Sequence, residues 1–180
     1  MSTDAIRPVP AWLDNARWYY SEIGEGHVQP VSVFDGTGRD EVSSESPGTL
    51  VLRLEPRRRY SPRLRVLDAG GREEGLIRAE GLVPGLRYVM HRNGELVWRL
   101  SVRSIVRKSH ALVLANGDSW TIDTPFFWWQ QLIGTARGAP RLFGGYASVA
   151  WIWGMWIEPG WDSLDVLAAL AFMHRQWFHM

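Results

Sequence analysis

The sequence predicts a mainly β protein, an antiparallel β-barrel meander enclosing a hydrophobic C-terminal α-helix. Three observations predict it. First, Asn93-Gly94 and Asn116-Gly117 each separate two apolar runs, and Asn-Gly so flanked is a strong hairpin signal because both turn residues reach φ > 0. Second, Asp68-Ala69-Gly70-Gly71 makes a further turn at comparable spacing, as in successive hairpins. Third, Val166 to Met173 is apolar on every side of a helix, so that helix must be buried. It is too short to span a bilayer. Inside an otherwise β chain, the interior of a barrel is its natural place.

Taken in order, residues 1–48 read as a separate acidic N-terminal segment, packed on the body or partly flexible. Two short strands are expected there, at Arg17-Trp18-Tyr19-Tyr20 and between Val28 and Phe34. The polar run Ser43 to Gly48 reads as a linker, which makes residues 49–180 the barrel domain. Strands are expected at Thr49–Leu54, Leu64–Leu67, Arg87–His91, Leu96–Val102, Ala111–Leu114 and Trp120–Ile122. Thr124 to Gly145 gives no clean strand signal. Tyr146 to Ile157 reads as a buried strand, with Trp151, Trp153 and Met155 on a bulky face and Ser148, Ala150 and Gly154 on a small one. Glu158-Pro159-Gly160 ends it. Asp162 or Ser163 then caps a helix over about 162–178, with Asp165 in its first turn.

Composition narrows the chemistry. Eleven Trp fit a large aromatic core and also an aromatic binding surface, the core being the leading expectation, and Phe126-Phe127-Trp128-Trp129 forms an aromatic run suited to a core or to a membrane interface. The chain has no Cys, which excludes disulfides, thiolate metal sites and thiol nucleophiles. His27, His91, His110, His174 and His179 show no metal-ligand spacing. No nucleophile elbow and no phosphate loop is present. The reading is therefore non-catalytic, with no cofactor and no metal. Asp162 and Asp165 are expected to cap the helix and complement its dipole.

Charge is unevenly distributed. Residues 1–52 hold three Arg against eight acids, residues 53–108 hold fourteen basic residues against six acids, and residues 109–180 hold three against five. The middle third is thus a basic block. Its densest part, Arg53, Arg57, Arg58, Arg59, Arg63 and Arg65, supplies the candidate anion- or lipid-binding residues, because guanidinium forks suit phosphate and carboxylate. The competing expectation is a solvated outer face paired with the acidic N-terminal segment.

The run Trp156-Ile157-Glu158-Pro159-Gly160-Trp161-Asp162-Ser163-Leu164, continuing through Ala171, together with the preceding hairpins, resembles the tubby C-terminal-like superfamily. That superfamily includes tubby proteins, phospholipid scramblases and LURP-one-related proteins. The resemblance covers about residues 49–180 and implies a closed barrel around a central helix, with an association with phospholipids. The expected function is a binding module for anionic phospholipid headgroups or a membrane surface. A protein-interaction or scaffold domain, docking an acidic protein surface, is the alternative. An enzyme with a site assembled from distant residues ranks third. Nucleic acid is disfavoured, since the Arg block and the Trp-rich third are separate in sequence. The N-terminus is polar and broken by Pro8 and Pro10, unlike a signal peptide. The expected location is the cytoplasm, with peripheral contact to a membrane.

Overall fold

The computed structural model describes residues 15–24, 30–37, 48–57, 63–81, 86–104, 109–123, 131–146 and 152–178. Twelve antiparallel strands close into one barrel around a single helix. The strands are β1 (Arg17–Ile23), β2 (Val31–Asp35), β3 (Thr49–Pro56), β4 (Leu64–Asp68), β5 (Glu73–Ala79) and β6 (Arg87–Arg92). They continue as β7 (Glu95–Ser104), β8 (Ser109–Leu114), β9 (Ser119–Asp123), β10 (Gln131–Ala136), β11 (Ala139–Tyr146) and β12 (Ile152–Ile157), followed by α1 (Leu164–Phe178). Each strand pairs with its sequence neighbours, and β1 closes the ring on β12 with Arg17 opposite Ile157. The barrel expected around an apolar helix is the barrel found.

Strand alternation sets the two faces. Val31 and Val33, Leu52 and Leu54, and Leu64 and Val66 point inward and are fully buried. Arg53, Glu55 and Arg65 alternate with them on the outside. The helix fills the interior: every side chain from Val166 to His174 is at most 2% exposed. Trp98, Trp120 and Trp153 are buried with it, as expected for core tryptophans. Among the described residues no helix is long and apolar enough to cross a membrane.

Three expectations are corrected. The boundary at residue 48 falls inside the barrel, because β1 and β2 are two of its strands. The stretch 124–145 contains most of a hairpin: β10 and β11 turn at Arg137 and Gly138, both at positive φ (49° and 76°). And Asn93-Gly94 is left-handed at both positions, whereas only Gly117 of Asn116-Gly117 is. There the Asn116 side-chain oxygen accepts the Asp118 amide at 2.9 Å instead, a local side-chain turn.

The helix start is fixed from several sides. The Ser163 carbonyl accepts the Leu167 amide at 3.0 Å and its hydroxyl oxygen accepts the Val166 amide at 3.4 Å, so Ser163 is the N-cap. Asp162 faces the barrel wall instead. It accepts the Tyr19 hydroxyl at 2.6 Å and an Arg17 N–H at 3.0 Å. Arg92 reaches from β6 to Asp165 at 2.7 Å. Trp161 covers this rim, edge-on to Trp120 and beneath the Arg137 and Arg141 guanidinium groups.

Candidate functional site

With the barrel interior filled by the helix, the solvent-facing charges of β3 to β5 lie on its outer wall. Of the six predicted arginines, Arg53, Arg57, Arg63 and Arg65 fall among the described residues. Arg53 on β3 and Arg65 on β4 both reach Glu55, each at 3.2 Å and each to a different carboxylate oxygen. Glu55 lies directly opposite Arg65 in the β3–β4 pairing and two residues along β3 from Arg53, on the same face. These two arginines are thus paired locally rather than with the acidic N-terminal segment. Arg57 and Arg63 are exposed at the ends of β3 and β4, where the Arg57 amide donates to the Arg63 carbonyl at 3.0 Å. Arg58, Arg59 and Phe126 to Trp129 lie outside the described residues.

The register adds cations that the sequence did not group. Leu64 pairs with Ile77 and Arg65 with Leu76, so the continued register sets Arg63 opposite Arg78. Leu76 pairs in turn with His91 on β6. Arg63, Arg78 and His91 thereby border an open groove of about 560 Å³ with Leu76 as its apolar floor, closed at one end by the Asn93-Gly94 turn. Glu73 and Glu74 line that same end. Glu74 is engaged by Arg72 at 2.6 Å and by Arg92 at 3.4 Å, so its charge is largely compensated. Arg78 is exposed and makes no ion pair among the described residues. A guanidinium free of carboxylate can present its fork to a phosphate or carboxylate oxygen.

Two polar arrangements lie elsewhere. Ser21 and His174 meet at 2.7 Å between β1 and the helix. Both are fully buried, with the His174 ring 5.3 Å from that of Trp153. The separation suits a nucleophile and a base, yet no solvent or substrate reaches it, so the pair acts as a polar bond inside the core. At the helix start, burial and the Asp162 carboxylate push the Tyr19 hydroxyl up to about 12. Burial alone would raise Asp162, but the bond from Tyr19, backbone amides and Arg17 outweigh it and hold that carboxyl below its ordinary value. Among the described residues no three His, Asp or Glu side chains gather as metal ligands.

The geometry defines a helix-filled β-barrel with its accessible cations on the outer wall. Compared with known proteins, the chain matches no family model, no curated protein and no solved structure.

Proposed function

We propose that this chain is a tubby-like, non-catalytic binding module that takes anionic phospholipid headgroups on the outer wall of its barrel. The single observation that carries the reading is the groove in which Arg63, Arg78 and His91 surround Leu76. Two guanidinium groups can share one phosphate, and the apolar floor suits the glycerol end of a headgroup. The filled interior directs a ligand to the outside. The family reading is supported by the twelve-strand closed barrel and by the C-terminal helix at its centre. In this reading the protein works in the cytoplasm, peripheral to the membrane.

Co-sedimentation with vesicles tests it. Binding is expected to vesicles containing phosphatidylserine, to weaken as salt rises, and to be absent from pure phosphatidylcholine. Equal and salt-insensitive behaviour on the two compositions would overturn it.

A further inference from the structure

The groove over Leu76 carries charge of both signs, and the β4–β5 register keeps them apart. Val66 pairs with Gly75 and Leu67 with Glu73, so Glu74 is an extra residue with none opposite it, a β-bulge. Leu67 lies two residues beyond Arg65 and shares its outer face, and the bulge puts Glu73 on that face too. From the Asn93-Gly94 end, the groove therefore runs along β5 from Glu73 and Glu74 through Leu76 to Arg78. Arg63 stands beside Arg78 at the far end, and His91 beside Leu76 in the middle.

These side chains differ in what already holds them. Glu74 is engaged by Arg72 at 2.6 Å and by Arg92 at 3.4 Å, and Arg92 continues to Asp165 at 2.7 Å, so this carboxylate belongs to the wall. Glu73 is exposed and, like Arg78, makes no ion pair among the described residues. Asn93 is exposed at the same end as Glu73, and its side chain makes no hydrogen bond among the described residues. A carboxylate and a carboxamide oxygen both accept hydrogen bonds from an ammonium group. Five residues of strand put the α-carbons of Glu73 and Arg78 about 17 Å apart. Their unbranched side chains shorten that gap from both ends, so a phosphate and an ammonium a few bonds apart fit between them. A ligand negative at both ends meets repulsion at Glu73, which turns a general anion groove into a discriminating one.

We propose that the groove selects phosphate diesters that carry a primary ammonium group, as the serine headgroup does, over those that carry only hydroxyls. The phosphate lies between Arg63 and Arg78, and the ammonium lies at the turn end against Glu73 and the Asn93 side-chain oxygen. The two arginines set affinity, and Glu73 sets selectivity. This selection deepens, and rests on, the assignment of the groove as a headgroup site.

Vesicles of phosphatidylserine or phosphatidylglycerol, each at the same mole fraction in phosphatidylcholine, carry equal net charge and differ by the ammonium and carboxylate of serine. The full chain is expected to bind the serine vesicles about threefold more tightly at low salt, the scale of one solvent-exposed ion pair. Glu73→Gln should abolish that preference by weakening binding to the serine vesicles alone, which assigns it to the ammonium. Arg78→Gln should weaken both compositions and keep the preference. Glycerophosphoserine and glycerophosphoglycerol, titrated while the Leu76 and His91 amides are followed by NMR, separate a membrane source from a soluble one. Selection of the serine compound there, with no binding to either vesicle, would support the groove chemistry and move its ligand from lipid to solution. Equal affinity of the parent for the two vesicles, or a serine preference that survives Glu73→Gln, would overturn the selection while leaving the headgroup reading in place. No binding to either vesicle and no shift with either soluble diester would overturn both.

Discussion

On the outer face of β11, β12, β1 and β2 five rings stand in mutual contact; around β3 to β6 the outward side chains are largely guanidinium groups and carboxylates. The two walls share one pleat and one alternation, yet their energetics differ. Aromatic neighbours across strands add to the area that they bury. Exposed ion pairs such as those at Glu55 contribute little once solvent screening is counted. The rings sit where the barrel joins strands from opposite ends of the chain, a pairing with a long loop to close. The arginines sit on hairpins whose pairing is local. The aromatic wall therefore helps hold the barrel shut, and the basic wall can vary without loss of fold. A surface that contributes little to stability is free to serve binding.

The sharpest way to break this contrast is Tyr20→Ala. Tyr20 is 1% exposed, stacks on Phe34, and its hydroxyl oxygen accepts the Gly48 amide at 2.6 Å. By analogy with other large aromatic truncations the loss is about 3–5 kcal/mol. Chemical denaturation should show it as a lower midpoint at nearly unchanged slope. A change below about 1 kcal/mol would mean that the seam is held by its backbone bonds alone.

The complementary prediction concerns the basic wall. Converting both Arg63 and Arg78 to Glu should lower affinity for phosphatidylserine vesicles by at least tenfold, on the order of 1 kcal/mol for each cation removed near a charged membrane surface. The thermal midpoint should stay within a few degrees of the parent. A large fall in midpoint with vesicle binding intact would reverse the assignment of roles.

How far the sequence reveals this arrangement depends on range. The central helix is legible because Val166 to Met173 leaves no polar side to face water. The β10–β11 hairpin is hidden because Gly134 and Gly144 look like chain breakers. In the barrel they lie beneath Leu142 and Leu132, whose side chains occupy the space that a Cβ would need. The place of β1 in the barrel is hidden because its partner β12 lies at the other end of the chain. The groove is half legible. Arg63 stands out in a dense basic run, but Arg78 and His91 join it only through the β4–β5 and β5–β6 registers. One local signal was available: Arg53 and Glu55, two apart on a strand, share a face, so that pairing could have been read directly.

A pH titration separates the walls from the rim that closes over the helix. Folding raises Tyr19 from 10.0 to about 12, so the neutral hydroxyl is favoured in the barrel. Its contribution is complete below pH 10 and is lost as pH rises through about 12. Asp162 is held low, so its contribution is present above the ordinary carboxylate range and is lost only as pH falls through its depressed value. Tyrosinate absorbance should show an ionisation near pH 12 that Tyr19→Phe removes. Ionisation of Tyr19 near pH 10 would mean that its bond to Asp162 does not persist in solution.

The smallest expected effect is Arg65→Ala. The side chain is 37% exposed and its ion pair to Glu55 spans 3.2 Å, so the pair is screened and Arg53 remains on the other carboxylate oxygen. The loss should not exceed about 1 kcal/mol, and added salt should shrink it further. The same substitution should leave vesicle affinity nearly unchanged, because Arg65 is already committed to Glu55 while Arg78 is not. If Arg65→Ala weakened vesicle binding as much as Arg78→Ala, the binding surface would extend across the whole basic wall rather than the β4–β6 groove. If instead it cost several kcal/mol of stability, the Arg53–Glu55–Arg65 cluster would belong with the aromatic seam as part of what holds the barrel together.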